Sequence, residues 1–204
     1  VVALRELGAK YVLVAMVDYG DPRILLRNWY RAIRGNMDEV IKEVLSMGFM
    51  RSHEASSVAI KIVAGSKELI YPTRSLHDAY MVVRELEDRL RLRGLRIEYV
   101  TEEQADWLRG RDVAIMMTPK LSKSDVVEHA RKGMLFPPKT TRHVFPIRPI
   151  SVDFPMKYLM SPSMGLEALN MVLDKYLITK VWIKIEGPVM LDRYYDEPSI
   201  LVFL

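Results

Sequence analysis

The side chains best suited to chemistry fall in one run, Pro137-Pro138-Lys139-Thr140-Thr141-Arg142-His143. Two prolines fix an extended entry. The side chains that follow offer an ammonium, two hydroxyls, a guanidinium and an imidazole, each able to donate a hydrogen bond to an anion. Such a run suits a carboxylate or a phosphate. The same residues also make a solvated turn whose threonine hydroxyls cap backbone groups, and spacing alone leaves both open. A second basic run holds Arg23, Arg27, Trp29, Tyr30, Arg31 and Arg34. Read as one strand over 23–31, it puts Arg23, Arg27, Trp29 and Arg31 on one face. An indole among cations is what nucleotide and nucleic-acid surfaces use; the alternative is a basic edge strand whose Trp packs on a helix.

Other polar groups carry less. Arg89, Arg91, Arg93 and Arg96 straddle Gly94, where cations meet the carbonyl end of a helix dipole, so a solvated helix terminus accounts for them. Asp18 with Asp21, and Asp192 with Asp196, have the chemistry of magnesium ligands, but paired carboxylates near turns are common. His53, His77 and His129 lack a partner at zinc-ligand spacing. Neither a nucleophile elbow nor a glycine-rich phosphate loop occurs. The chain has no cysteine, which removes disulfides, thiolate metal sites and Cys nucleophiles together and suggests a cytoplasmic location. These residues alone assign no catalytic group and no metal ligand.

The elements that must position these groups follow from periodicity. Residues 1–7 read as the end of a helix stopped by Gly8, and residues 11–17 (YVLVAMV) as a buried strand beside a second strand over 23–31. Asn36 can cap a helix whose face carries Met37, Val40, Ile41, Val44 and Leu45 before Gly48 ends it. Residues 58–64 and 68–71 flank Gly65-Ser66-Lys67 as a hairpin. Ser75 opens a long helix with Leu76, Tyr80, Val83 and Leu90 on one stripe. A strand over 95–100, a capping box at Thr101 and Gln104, a strand over 113–117 and a helix capped by Ser122 or Ser124 and stopped at Gly133 complete the middle. Further on, a helix near 166–175 and strands near 179–186 and 199–203 are expected. The sum is an α+β or α/β chain with mixed sheets.

The pattern lapses at 48–54 and again at 134–138, so residues 52–133 are expected to form an inserted subdomain. Residues 1–51 and 134–160 would then make an outer domain, and 161–204 a carboxyl-terminal extension. Half of the 204 residues are hydrophobic, enough to bury a core. Thirty Lys and Arg against 26 Asp and Glu leave +4, which allows an acidic ligand without demanding nucleic acid. No apolar run has the length of a membrane span. Only three Asn and one Gln occur, a balance that suggests a thermophilic source.

Taken in order, several of these segments resemble one family. LRELGAK at 4–10, Asp18-Tyr19, Asn28-Trp29-Tyr30 ahead of Gly35 and an amphipathic helix, and Gly133 followed by PKTTRHVFP at 138–146 resemble the archaeal free serine kinases of the ParB/sulfiredoxin-like superfamily. The similarity runs over residues 2–153, weaker in the middle, and PKTTRH is its specific element. The resemblance implies an α+β fold with a ParB/sulfiredoxin-like outer domain and an inserted α/β subdomain. It implies phosphorylation of the hydroxyl of free L-serine, with ADP or ATP and magnesium, giving O-phosphoserine for cysteine synthesis. It further implies that Trp29, Thr141 and His143 line the serine pocket, that Thr140 and Arg142 lie nearby, and that Lys139 serves phosphate. In that family a DGHHR-type phosphate motif lies just ahead of the segment that aligns with residue 1, and the catalytic Glu earlier still. The expectation is therefore that this chain alone is impaired, and that residues beyond about 157, which match nothing in the family, are either a lineage-specific addition of unknown role or the product of a misjoined or misread gene. Two other readings stand beside it: a ParB-like nucleic-acid-binding protein using the Arg23 to Arg34 face, and an inactive remnant of the kinase fold.

Overall fold

The computed structural model describes residues 2–51, 58–161 and 163–204. The chain opens with α1 (Val2–Glu6), and Gly8 follows at a φ of 76°. Residues 11–17, expected as a buried strand, form none: Val14 is 63% and Met16 90% exposed. An apolar run becomes a strand only where a sheet edge takes its amides. Here the Lys10 and Tyr11 amides donate instead to the Leu159 carbonyl, and the Tyr11 hydroxyl to that of Met164.

The expected strand over 23–31 is two short ones, β1 (Leu25–Asn28) and β2 (Tyr30–Arg34), interrupted at Trp29. After Gly35 comes α2 (Met37–Ser46), whose Asn36 side chain accepts the Asp38 amide at 2.9 Å. Gly35 is obligatory: its φ is 133°, and a Cβ there would lie 2.5 Å from Leu95 Cδ2. A hairpin of β3 (Ala59–Ala64) and β4 (Lys67–Pro72) turns over Gly65-Ser66. Ser75 then caps α3 (Leu76–Leu92), followed by β5 (Arg96–Val100). The predicted capping box of Thr101 and Gln104 opens α4 (Glu102–Leu108). β6 (Ala114–Met117) leads to α5 (Lys123–Arg131), capped by Ser122 boxed with Asp125, and then β7 (Thr141–Val144).

Strands β4-β3-β6-β2-β5 form one antiparallel sheet, with Ile33 opposite both Ile97 and Ala114. One face buries Ile33, Ile60, Ile62 and Leu69 against Val40 and Val44 of α2 and Val83, Leu86 and Leu90 of α3. The other buries Ala32, Val100 and Ile115 with Ala105 of α4. Cover on both faces explains why β2 is buried at successive residues and does not alternate. Each fully buried Leu or Ile contributes about 1.5–3 kcal/mol. β1 and β7 pair as a separate two-stranded sheet.

Residues 1–25 and Val144–Leu204 form one compact unit, and Leu26–His143 another. The first contains β8 (Arg148–Ile150), α6 (Met156–Leu159), α7 (Leu166–Thr179), β9 (Trp182–Glu186), β10 (Val189–Met190), β11 (Tyr194–Tyr195) and β12 (Ser199–Phe203). β12 lies between β8, parallel to it, and β9, antiparallel. Phe154, Leu159 and Leu169 make a small core. This division differs from the expected boundaries at 51/52 and 133/134; residues 52–57, at the first of these, lie outside the described residues. Antiparallel pairing with helices on both faces of the main sheet makes the chain α+β.

Candidate functional site

Trp29 sits where the chain passes from β1 to β2, and its carbonyl is held from two directions. Arg31 Nη1 donates to it at 2.6 Å and the Thr118 hydroxyl at 3.4 Å. The segment after β6 that carries Thr118 is itself fixed. The Asn28 amide donates to the Pro119 carbonyl at 2.6 Å, and so does the Tyr80 hydroxyl at 2.7 Å. Burial pushes the Tyr80 phenol up to about 12. The half-buried indole thus stands on a rigid base.

Across from it, Pro138 leads a turn in which Lys139 takes a φ of 61°. Turns of this kind normally put Gly or Asn at that position, and a lysine there is a strained residue of the sort found at functional sites. The Lys139 ammonium lies 5.4 Å from the Trp29 ring centre and 5.7 Å from that of Tyr99. Arg142 Cζ lies 5.5 Å from the Trp29 ring, and Arg31 Cζ 5.3 Å from the Tyr99 ring. The result is an alternating row of cation and ring: Arg31, Tyr99, Lys139, Trp29, Arg142. All four spacings are within cation–π range. Among the described residues, no carboxylate is within ion-pair distance of Lys139.

The remaining members of the run separate. Thr140 is buried, and its hydroxyl donates to the Pro137 carbonyl at 2.7 Å, closing the turn. On β7, Arg142 is buried while Thr141 and His143 are half-buried, and strand alternation puts those two on the face opposite Arg142. Of the five donors, Lys139 and Arg142 lie within cation–π range of the Trp29 ring.

Behind the rings lies Glu87 of α3, buried and fully engaged. One oxygen accepts Arg31 Nε at 2.7 Å; the other accepts the Tyr99 hydroxyl and Arg91 Nη2, each at 2.8 Å. Burial raises the Tyr99 phenol, Glu87 raises it further, and Arg91 opposes both. A cleft of about 440 Å³ adjoins this group, lined by Arg31, Glu87, Arg91, Tyr99, Pro137 and Pro138 among others. No local signal marks Glu87 or Tyr99 in the sequence, because one looks like any helix carboxylate and the other like a strand aromatic.

The second basic run does not form a face. Arg31 turns into the core toward Glu87, because the break at Trp29 puts β1 and β2 in different sheets. Arg27 pairs with Glu102 and Glu103, Arg34 with Glu98, and Arg23 with Asp21. Burial raises the Glu103 carboxyl, but its own backbone amide, the Thr101 hydroxyl, Arg142 and Arg27 outweigh that and hold it below the usual carboxylate range. The helix-end arginines are likewise paired: Arg89 and Arg93 with Glu43, Arg91 with Glu87, Arg96 with Glu98. His77 and His129, far apart in sequence, stack with ring centres 6.3 Å apart, and both contact Phe136. His53 lies outside the described residues. Among the described residues no group of three or more His, Asp or Glu is placed to hold a metal ion. Asp21 pairs with Arg23, and Asp192 accepts the Tyr195 hydroxyl. Among the described residues no helix is long and apolar enough to cross a membrane.

No protein-family model matches the chain. Individual proteins do. An ATP-dependent L-serine kinase of Staphylothermus marinus is 26% identical over 172 residues, covering 77% of this chain and 68% of that protein. An ADP-dependent L-serine kinase of Thermococcus kodakarensis is 28% identical over 169 residues, covering 76% and 68%. A solved free serine kinase variant in complex with ADP superposes with a TM-score of 0.58 at 25% identity, over 71% of this chain and 64% of that one. The chain is similar to these serine kinases over about three quarters of its length. It spans about two thirds of the length of these kinases.

Proposed function

We propose that the chain serves an L-serine kinase reaction, with the Trp29, Lys139 and Arg142 group holding the anionic part of the substrate. In such a reaction the serine hydroxyl oxygen bonds to the terminal phosphorus of ADP or ATP, and the bond from that phosphorus to the nucleotide's bridging oxygen breaks. The hydroxyl proton leaves to a base, which is not assigned to a residue of this chain. Phosphoryl transfer asks the protein chiefly for positioning and for positive charge on the transferring oxygens. Magnesium, where bound with the nucleotide, would supply further charge neutralisation.

The observation that carries this reading is Lys139, an exposed residue whose ammonium lies 5.4 and 5.7 Å from two aromatic ring centres, one of which Arg142 also approaches. A cation resting on rings and not on a carboxylate remains available to an incoming anion. Trp29 would supply a flat wall for the small zwitterion. The nucleic-acid alternative would require the arginines of residues 23–34 to exchange their carboxylate partners for phosphates. Calorimetry tests the proposal: L-serine is expected to bind in the presence of ADP, and Trp29→Ala and Lys139→Ala to remove the signal. Absence of heat from either ligand at millimolar concentration with the folded protein would overturn it, and a salt-sensitive retardation of DNA would favour the nucleic-acid alternative.

A further inference from the structure

We infer that Arg31 and Glu87 are positioning residues for the cation and ring row, setting the two rings between which Lys139 sits. The inference rests on the reading of that row as a binding site. Both rings lead back to one carboxylate. Trp29 is reached through Arg31, whose Nε bonds Glu87 at 2.7 Å while its Nη1 bonds the Trp29 carbonyl at 2.6 Å. Tyr99 is reached directly, its hydroxyl 2.8 Å from the other Glu87 oxygen.

The pair is also an expensive one to bury. Arg31 and Glu87 are 1% and 6% exposed, and a buried ion pair is often no more stabilising than apolar residues of the same volume. Its geometric effect is specific, however. A guanidinium fork presents two N–H vectors fixed relative to each other, which a lysine ammonium does not. It therefore fixes the Trp29 backbone relative to α3, while the same carboxylate fixes the Tyr99 ring. Neither residue needs to touch the ligand: Arg31 acts through the Trp29 backbone and Glu87 through the Tyr99 hydroxyl.

Ring currents give a direct readout that needs no ligand. The Lys139 ε-methylene, held between two rings, is expected to resonate upfield of that of exposed Lys42 in proton–carbon NMR spectra of the chain. Glu87→Gln and Arg31→Lys are expected to shift it toward the Lys42 position, with the indole N–H signals of Trp107 and Trp182 unmoved. Tyr99→Phe keeps the ring and the buried pair but removes the hydroxyl. It is expected to give a smaller shift in the same direction, and it covers the case in which a core variant fails to fold. A Lys139 signal that stays at its wild-type place in folded Glu87→Gln, or in Tyr99→Phe, overturns the inference while leaving the binding-site reading standing. A wild-type Lys139 signal that coincides with Lys42 overturns both, because the row itself is then absent.

Discussion

Two basic runs, 23–34 and 139–142, look alike in the sequence, and Lys139 of the second ends in electrostatic surroundings unlike those of the first. In the first, Arg23, Arg27, Arg31 and Arg34 each meet an Asp or Glu. In the second, Lys139 lies near the Trp29 and Tyr99 rings, while Arg142, also near the Trp29 ring, acts on the Glu103 carboxyl as well. The difference teaches that cationic residue types do not mark an anion site. What marks it is the partner left to the cation after folding. Rings can hold an ammonium in place at about 0.5–1 kcal/mol each without cancelling its charge, whereas a carboxylate 3 Å away cancels most of the field an incoming phosphate would meet.

The comparison breaks most visibly at Glu87. Glu87→Ala strands a buried guanidinium and is expected to cost about 3–5 kcal/mol in urea unfolding; a loss below about 1 kcal/mol would mean that Arg31 has another anion or is not buried. Next comes alkaline pH. The Tyr80 phenol, which holds the segment under Trp29, is pushed by burial from 10.0 up to about 12. A raised value favours the native state fully below the unfolded pKa and loses that contribution as pH rises through the folded one. Stability should thus fall by about 3 kcal/mol between roughly pH 10 and 12, and Tyr80→Phe should flatten that part of the pH profile. Lys139→Gly separates stability from binding: relief of the left-handed backbone is expected to raise unfolding free energy by about 1 kcal/mol while serine binding is lost. Equal loss of both would show that Lys139 is a structural residue. The smallest effect belongs to the neutralised run, where Arg27→Ala should change stability by no more than about 1 kcal/mol and leave serine affinity as it was.

Local structure was largely legible. Asn36, Ser75, Thr101 and Ser122 each cap the helix that their side-chain chemistry announces, because a capping bond spans only two or three residues. Residues 11–17 misled because apolar composition says nothing about whether a sheet edge is free to receive them. The strand over 23–31 misled for a related reason: period-2 alternation holds only while the strand is unbroken, and it breaks at Trp29. Of the site, Trp29, Lys139 and Arg142 could be singled out by type. The threonines and His143 could not be sorted from them, since that depends on the Pro138 turn and on which side of β7 faces the indole. Glu87 and Tyr99 enter only through the packing of α3 on β5, a contact between residues 12 apart in sequence that no local pattern encodes.

The central claim is that Lys139 and Arg142 on Trp29 accept an anion, and titration of the isotope-labelled chain with O-phosphoserine tests it most directly. The account predicts saturable shifts of the Trp29 indole N–H and the Lys139 ε-methylene, lost in Lys139→Ala and unaffected in Arg27→Ala, with Trp107 and Trp182 silent. Shifts spread equally over all three indoles, or none at Trp29, would contradict it.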